Sequence, residues 1–241
     1  MAFRLKQLRL INSIDELAAL PQGKLLINTV NAFSYNNARK DSVFAEALQN
    51  CDALIPDGIS IVKACKWINA ESKPKERIAG WDLFLFEMNR LNATGGKVLF
   101  MGSSEDTLKK IVEKSRVQFP AIEVITYSPP YKSVFSEQDN KQLVSFINNS
   151  NPDLLWIGMT APKQEKWTYE HWEELNIHCH CGTIGAVFDF FAGTLKRAPV
   201  FWQRHGLEWL YRLIKEPRRL WRRYILGNAE FLGYIIRERF E

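Results

Sequence analysis

The chain has 241 residues, 46% of them hydrophobic, and a formal net charge of +5. That is enough apolar content to bury a full core in one α/β domain with an appendage, and no apolar run approaches the roughly 18–20 residues that span a bilayer. Four cysteines make no disulfide framework at this size, so a reducing compartment is expected, with cytoplasm as the default. The N-terminal Met1-Ala2-Phe3-Arg4-Leu5-Lys6 lacks the apolar stretch of a signal peptide.

In chain order, Phe3–Ile11 reads as a hairpin or edge strand, and Ser13-Ile14-Asp15-Glu16 as a capping box opening a short helix. Strand-like runs follow at Leu25–Val30, Ala53–Ile55, Val98–Met101, Glu123–Tyr127, Leu154–Gly158 and Ile177–Cys181. Helical periodicity fills 36–49, 59–69, 81–93, 104–118, 136–149 and 162–174. This alternation predicts an α/β fold over 1–194, a Rossmann-like and largely parallel sheet with helices on both faces. A basic helical appendage is expected over 195–241.

Charge is uneven. From Leu195 to Glu241 there are eleven Lys/Arg and five Glu, whereas the first 194 residues sum to −1. Within that segment runs Arg218-Arg219-Leu220-Trp221-Arg222-Arg223-Tyr224-Ile225. On a regular helix the four arginines share an arc of about 140°, and the apolar four occupy the other side. Such a helix suits either an anionic membrane surface or the solvated face of a packed domain. Nucleic acid is a weaker reading, because no known reader motif accompanies the arginines.

Every strand is followed by a polar or glycine-rich stretch. Thr29 and Asn31 belong to the first, Pro56-Asp57-Gly58 to the second and Gly102-Ser103-Ser104 to the third. Ser128–Tyr131, Gly158–Gln164 and Gly182–Gly185 belong to the remaining three. In an open α/β sheet this carboxyl edge is where ligands bind. Gly102-Ser103-Ser104 could hold phosphate at a helix start or serve as an ordinary N-cap. Asp57 fits two roles, a cap for the next helix or a general base. The spacing G-x-G-x-x-G is absent, as is a Walker A sequence, so a dehydrogenase is rejected. His178-Cys179-His180-Cys181 suggests a metal cluster, but strand alternation would send the histidines to one face and the cysteines to the other. No metal or cofactor is expected.

The blocks Thr29-Val30-Asn31, Pro56-Asp57-Gly58-Ile59-Ser60, Arg77–Leu83, Ala161–Trp167, Phe188–Gly193, Lys196–Pro199 and Gly206–Leu213 occur in this order. In this the chain resembles the WecG/TagA/CpsF glycosyltransferases, from about Leu25 to Phe240. Phe33 stands where many of them carry His, and Gly102-Ser103 where many have Gly-Gly. The resemblance implies an inverting, metal-independent transferase. It would move a sugar from a UDP-sugar to an undecaprenyl-diphosphate-linked saccharide, at the inner face of the bacterial plasma membrane, in cell-surface polysaccharide synthesis. Asp57 would then be the base. Arg77, Gln164 and the Gly102 and Ser103 amides would hold the diphosphate, and Thr29 and Asn31 would orient sugar or nucleobase. Arg212, Arg218, Arg219, Arg222 and Arg223 would meet the acceptor diphosphate and anionic lipid. A non-catalytic, membrane-recruited sugar-nucleotide-binding module is the alternative, and a homo-oligomer stays open.

Overall fold

The computed structural model describes residues 3–241, so Met1 and Ala2 of the N-terminal hexapeptide lie outside the described residues. Strands β1 (Leu25–Val30), β2 (Ala53–Pro56), β3 (Gly96–Gly102), β4 (Ile122–Tyr127), β5 (Leu154–Gly158) and β6 (His180–Thr183) form one sheet in the order β2-β1-β6-β5-β3-β4. The pairs β1–β6, β6–β5, β5–β3 and β3–β4 are all parallel. Around the sheet stand α1 (Ile14–Ala18), α2 (Ala32–Ala38), α3 (Ser42–Gln49), α4 (Ile59–Ile68), α5 (Gly80–Thr94), α6 (Glu105–Gln118), α7 (Glu137–Ser150), α8 (Lys163–Glu170) and α9 (Val187–Ala192). The C-terminal segment adds α10 (Val200–Arg204), α11 (Glu208–Lys215), α12 (Pro217–Trp221), a π-helical turn (Arg222–Leu226) and α13 (Gly227–Phe240). The expected α/β architecture is present. Its central strands read as apolar runs because they are covered on both faces: all five residues of β5 are buried.

The chain condenses into two compact units. One comprises residues up to Ala19, Thr29–Ala79 and Lys196–Glu241; the other comprises Leu20–Asn28 and Gly80–Leu195. The segment expected as an appendage thus starts at a unit boundary and folds as part of the first unit.

In the first unit, Phe3, Leu5, Tyr35, Phe44, Phe231 and Ile235 share a core. No strand forms over Phe3–Ile11, contrary to expectation; a 3₁₀ turn occupies Leu5–Gln7. The reason lies far along the chain. Buried Glu238 of α13 accepts the amides of Leu5 (3.1 Å) and Lys6 (3.0 Å), the Tyr35 hydroxyl, and Arg39 Nη1 (3.4 Å). Backbone donors satisfied by a carboxylate need no partner strand. Ser13 does cap α1, accepting from the Glu16 amide at 3.3 Å, but the Glu16 carboxylate turns to the Asn12 amide (2.8 Å) instead of closing the box.

The helix expected over 36–49 is two helices, because Asn31 caps one start and Asp41 accepts the Phe44 amide to cap another. Likewise 162–174 divides into α8 and a 3₁₀ turn at Trp172–Glu174.

The second unit packs Phe84, Phe100, Trp156, Phe188 and Phe191. A side chain at Gly182 would collide with the Trp156 ring, so the β5–β6 contact requires glycine there. Strand β6 starts at His180, three residues later than expected. The two histidines therefore do not share a strand face: His178 is exposed ahead of the strand. His180 is buried, with Nδ1 2.9 Å from Glu87 Oε1 and Nε2 2.9 Å from the Pro21 carbonyl.

Candidate active site

In the first unit, β1 and β2 end side by side. The Asp57 amide donates to the Val30 carbonyl at 2.9 Å, which fixes the backbone where β2 stops. Helix α4 begins after Gly58, and no side chain caps it. Asp57 is therefore not the cap. Its Oδ2 lies 3.3 Å from Asn31 Nδ2. Asn31 is itself the N-cap of α2, its Oδ1 accepting from the Phe33 (3.0 Å) and Ser34 (3.1 Å) amides. With the oxygen so engaged, only the NH₂ end can face the carboxylate. Thr29, half-buried in β1, stands two residues before Asn31.

Arginines gather in the same unit. The Arg223 guanidinium lies 4.1 Å over the Phe33 ring, and its buried Nε has no partner among the described residues. Burial holds this guanidinium below the usual arginine range; Arg212 and Arg219 act in the same direction, while Tyr224 and Asp57 oppose. Arg223 is thus inside the electrostatic reach of Asp57. On the expected wheel Arg223 lies about 60° from Leu220 and Arg222 about 160° from it, and Leu220 is the buried residue of this stretch, so the arc divides between the two arginines. Arg218, Arg219 and Arg222 stay exposed while Arg223 turns inward.

Arg77 is held as well. The amide of the next residue, Ile78, donates to the Pro56 carbonyl (3.1 Å), which ties this stretch to the end of β2. Arg77 Nη1 then meets Glu208 Oε2 at 3.1 Å, and Arg197 Nε meets Glu208 Oε1 at 3.5 Å.

The second unit holds the other named residues. Gly102 (φ 130°) and Ser103 (φ 57°) make a left-handed kink at the end of β3. A side chain at Gly102 would strike the Gly158 carbonyl. The Ser103 amide donates to that same carbonyl at 3.0 Å, so it is not an open phosphate donor. Ser104 caps α6, whose first turn carries Glu105 and Asp106. Gln164 is buried, its Oε1 accepting the amides of Met159 and Gly185, each at 3.1 Å, and its Nε2 donating to Glu165 Oε1 at 2.9 Å. It staples the loops after β5 and β6. Burial pushes the Glu165 carboxyl up to about 7, and its Oε2 has no partner among the described residues.

Sequence reasoning missed Glu208, Arg197, Glu165 and the contact between Phe33 and Arg223. Glu208 stood inside a quoted motif, yet its partner is 131 residues away and no periodicity signals such a pair.

An oriented carboxylate and clustered arginines at the strand ends of a parallel α/β sheet suit group transfer among anionic substrates. The sequence profile of the Glycosyl transferase WecG/TagA/CpsF family matches residues 3–241, and the chain belongs to that family. Two similar proteins are both named N-acetylglucosaminyldiphosphoundecaprenol N-acetyl-beta-D-mannosaminyltransferase. That of Bacillus spizizenii is 32% identical over 212 residues, 87% of this chain and 79% of the relative. That of Bacillus subtilis is 32% identical over 200 residues, 83% of this chain and 75% of the relative. The protein is a glycosyltransferase, as the motif resemblance implied.

Proposed function

We propose that the enzyme transfers a sugar from a UDP-sugar to an undecaprenyl-diphosphate-linked saccharide, with inversion and without a metal, in building a bacterial cell-surface polysaccharide. One observation carries the catalytic part: the Asp57 carboxylate, at a strand end, is faced by an Asn31 amide whose orientation is fixed. Asp57 removes the proton from the acceptor hydroxyl as its oxygen attacks the anomeric carbon. The bond to the donor diphosphate breaks on the opposite face, UDP departs with the electron pair, and the configuration inverts.

Arg77 neutralises charge growing on the diphosphate, in the place a cation would take. Thr29 and Asn31 orient the donor; within the second unit, Gly102 and Ser103 shape the end of β3 and Gln164 holds the loops after β5 and β6. Arg212 and Arg223 serve the acceptor diphosphate. A module that only bound sugar nucleotides would have no use for an oriented carboxylate.

Among the described residues no helix is long and apolar enough to cross a membrane. Exposed Trp221, Ile225 and Leu226 lie beside exposed Arg218, Arg219 and Arg222. This supports peripheral attachment to the anionic inner leaflet, where three arginines supply about 3 kcal/mol of attraction.

The test is a panel of UDP-sugars with a polyprenyl-diphosphate-linked N-acetylglucosamine acceptor, read by mass spectrometry. The relatives' names make UDP-N-acetylmannosamine the first donor to try. Transfer of one sugar supports the reading; donor binding without transfer from any of them overturns it.

A further inference from the structure

We propose that a second copy of this chain packs antiparallel against the outer face of α13, so that the protein self-associates through its last helix.

Helix α13 carries two distinct sides. One packs inward: Phe231 and Ile235 belong to the core of the first unit, and Glu238 holds the Leu5 and Lys6 amides. The other faces out. Leu232 is 54% exposed, Ile236 42% and Phe240 83%, and Ala229 and Gly233 are exposed beside them. At 100° per residue these five fall in an arc of about 100°, and no charged residue lies inside it.

Gly233 narrows what can cover this face. A Cβ at that position would meet nothing within 4 Å, so the chain's own packing does not ask for glycine. Inside a helix glycine is destabilising relative to alanine, and what it permits is the close approach of another backbone. A lipid surface gains nothing from that, whereas a packed helix does.

The order of sizes identifies the second helix. Along the outer face the small Ala229 and Gly233 stand in the first half, and the bulky Ile236 and Phe240 stand in the second. Turned antiparallel, a second α13 sets Ile236 over Gly233 and Phe240 over Ala229 in a single register. The two-fold axis makes each of these contacts twice. A parallel pair would instead set bulky against bulky and small against small.

Charge fits the same arrangement. Glu230 lies in the first turn of α13 and Arg237 in the last, on one flank of the outer face. Antiparallel pairing brings Arg237 of one copy to Glu230 of the other, and the helix dipoles oppose favourably. Glu230 already holds Lys40 at 2.6 Å, yet its side chain is 34% exposed and its carboxylate can accept from a second cation.

The face is small. Helix α13 has 14 residues and is roughly 21 Å long, so its outer side offers less than the ~800 Å² per partner of a standard stable interface. Association is therefore weak and concentration-dependent, a monomer–dimer equilibrium in the micromolar range.

Sedimentation velocity of the full chain, without lipid or detergent, measures its mass between about 1 and 200 µM. Expected is a shift from monomer towards dimer across this range for wild type. Ile236→Glu and Gly233→Leu should both stay monomeric throughout. Gly233→Leu is the sharper variant: open space and better helix propensity leave the fold intact with an unchanged or raised Tm, while the added side chain holds the two backbones apart. Arg237→Glu should raise the dimer Kd by about tenfold; an unchanged Kd there overturns the antiparallel pairing. A dimer that survives both Gly233→Leu and Ile236→Glu is held by another surface and overturns the proposal. A wild-type chain that stays monomeric overturns it as well, and loss of Ile236→Glu from anionic vesicles would then assign the face to lipid.

Discussion

Asn31 presents its side-chain NH₂ to Asp57, Nδ2 to Oδ2 at 3.3 Å, because its carbonyl oxygen is already tied to the amides of Phe33 and Ser34. One residue thus starts helix α2 and orients the carboxylate at the neighbouring strand end. A bond to the charged form also keeps the carboxylate aimed without giving it a proton.

Asp57→Asn should therefore keep the fold and UDP affinity while lowering kcat by about a hundredfold or more. Asn31→Ala should cost less turnover, about tenfold, since the base remains but is no longer aimed. It should also lose about 1 kcal/mol of stability with the cap. Near-normal turnover of Asp57→Asn with the lipid-linked acceptor would remove Asp57 as base.

Much of this was legible before any coordinates. The six strands, the strand-end loops and the position of Asp57 follow from period-2 and period-3.6 patterns, which are local. Long-range partners were not legible. Glu238 satisfies amides 232 and 233 residues earlier, so Phe3–Ile11 looked like strand while its donors were met elsewhere. The inward turn of Arg223 escaped for a different reason: it depends on which side of the helix is packed, and Leu220, not Trp221 or Ile225, is the buried apolar residue. Gln164 was recognisable as special by its motif, but only the geometry shows its oxygen clamped between two loop amides.

The Glu238 clamp makes a stability prediction. Glu238→Ala would leave the Tyr35 hydroxyl and two backbone amides without their acceptor in a buried place and would remove the carboxylate beside Arg39. A loss of about 3–5 kcal/mol is expected from removing one partner of such a set. Burial, and then Glu238 itself, keep the Tyr35 hydroxyl well above its ordinary pKa, so Tyr35 stays protonated and donating throughout. Urea unfolding followed by circular dichroism checks the size; a change below about 1 kcal/mol would mean the clamp is dispensable.

Glu165 predicts a pH dependence of opposite sense to a salt-bridged acid. Burial raises its folded pKa from 4.5 to about 7. Between those values the unfolded chain has released the proton and the folded chain retains it, so stability falls as pH rises through this window. Above about 7 the penalty is complete and constant. Glu165→Gln, which cannot ionise, should flatten this slope and gain on wild type at pH 8 relative to pH 5. Denaturant midpoints across the range measure it, and parallel curves for the two proteins would refute it.

Transfer should survive EDTA, because arginine donors are proposed to take the cation's place at the diphosphate. Activity lost to the chelator and restored only by Mg²⁺ or Mn²⁺ would contradict that proposal.

The segment around the π-helical turn holds its arginines in two environments. Arg218, Arg219 and Arg222 are exposed beside Trp221, Ile225 and Leu226, whereas Arg223 lies over Phe33 within the field of Asp57. Replacing the exposed three by Glu reverses the outer charge and leaves the inner arginine in place. Vesicles containing anionic lipid should then no longer be bound, and turnover of a bilayer-held acceptor should fall sharply. Raised salt should weaken the wild-type interaction in the same direction. Arg223→Ala should do the reverse, keeping vesicle binding within about twofold while lowering kcat/KM for the lipid-linked acceptor by about tenfold or more. Phe33→Leu should give a milder version of that loss, since the cation–π contact contributes about 0.5–2 kcal/mol. Flotation with vesicles measures the first effect and initial rates on a short-chain, detergent-soluble acceptor measure the second. If Arg223→Ala releases the protein from vesicles as fully as the triple variant does, the four arginines form one surface and the division between inner and outer arginines has no functional meaning.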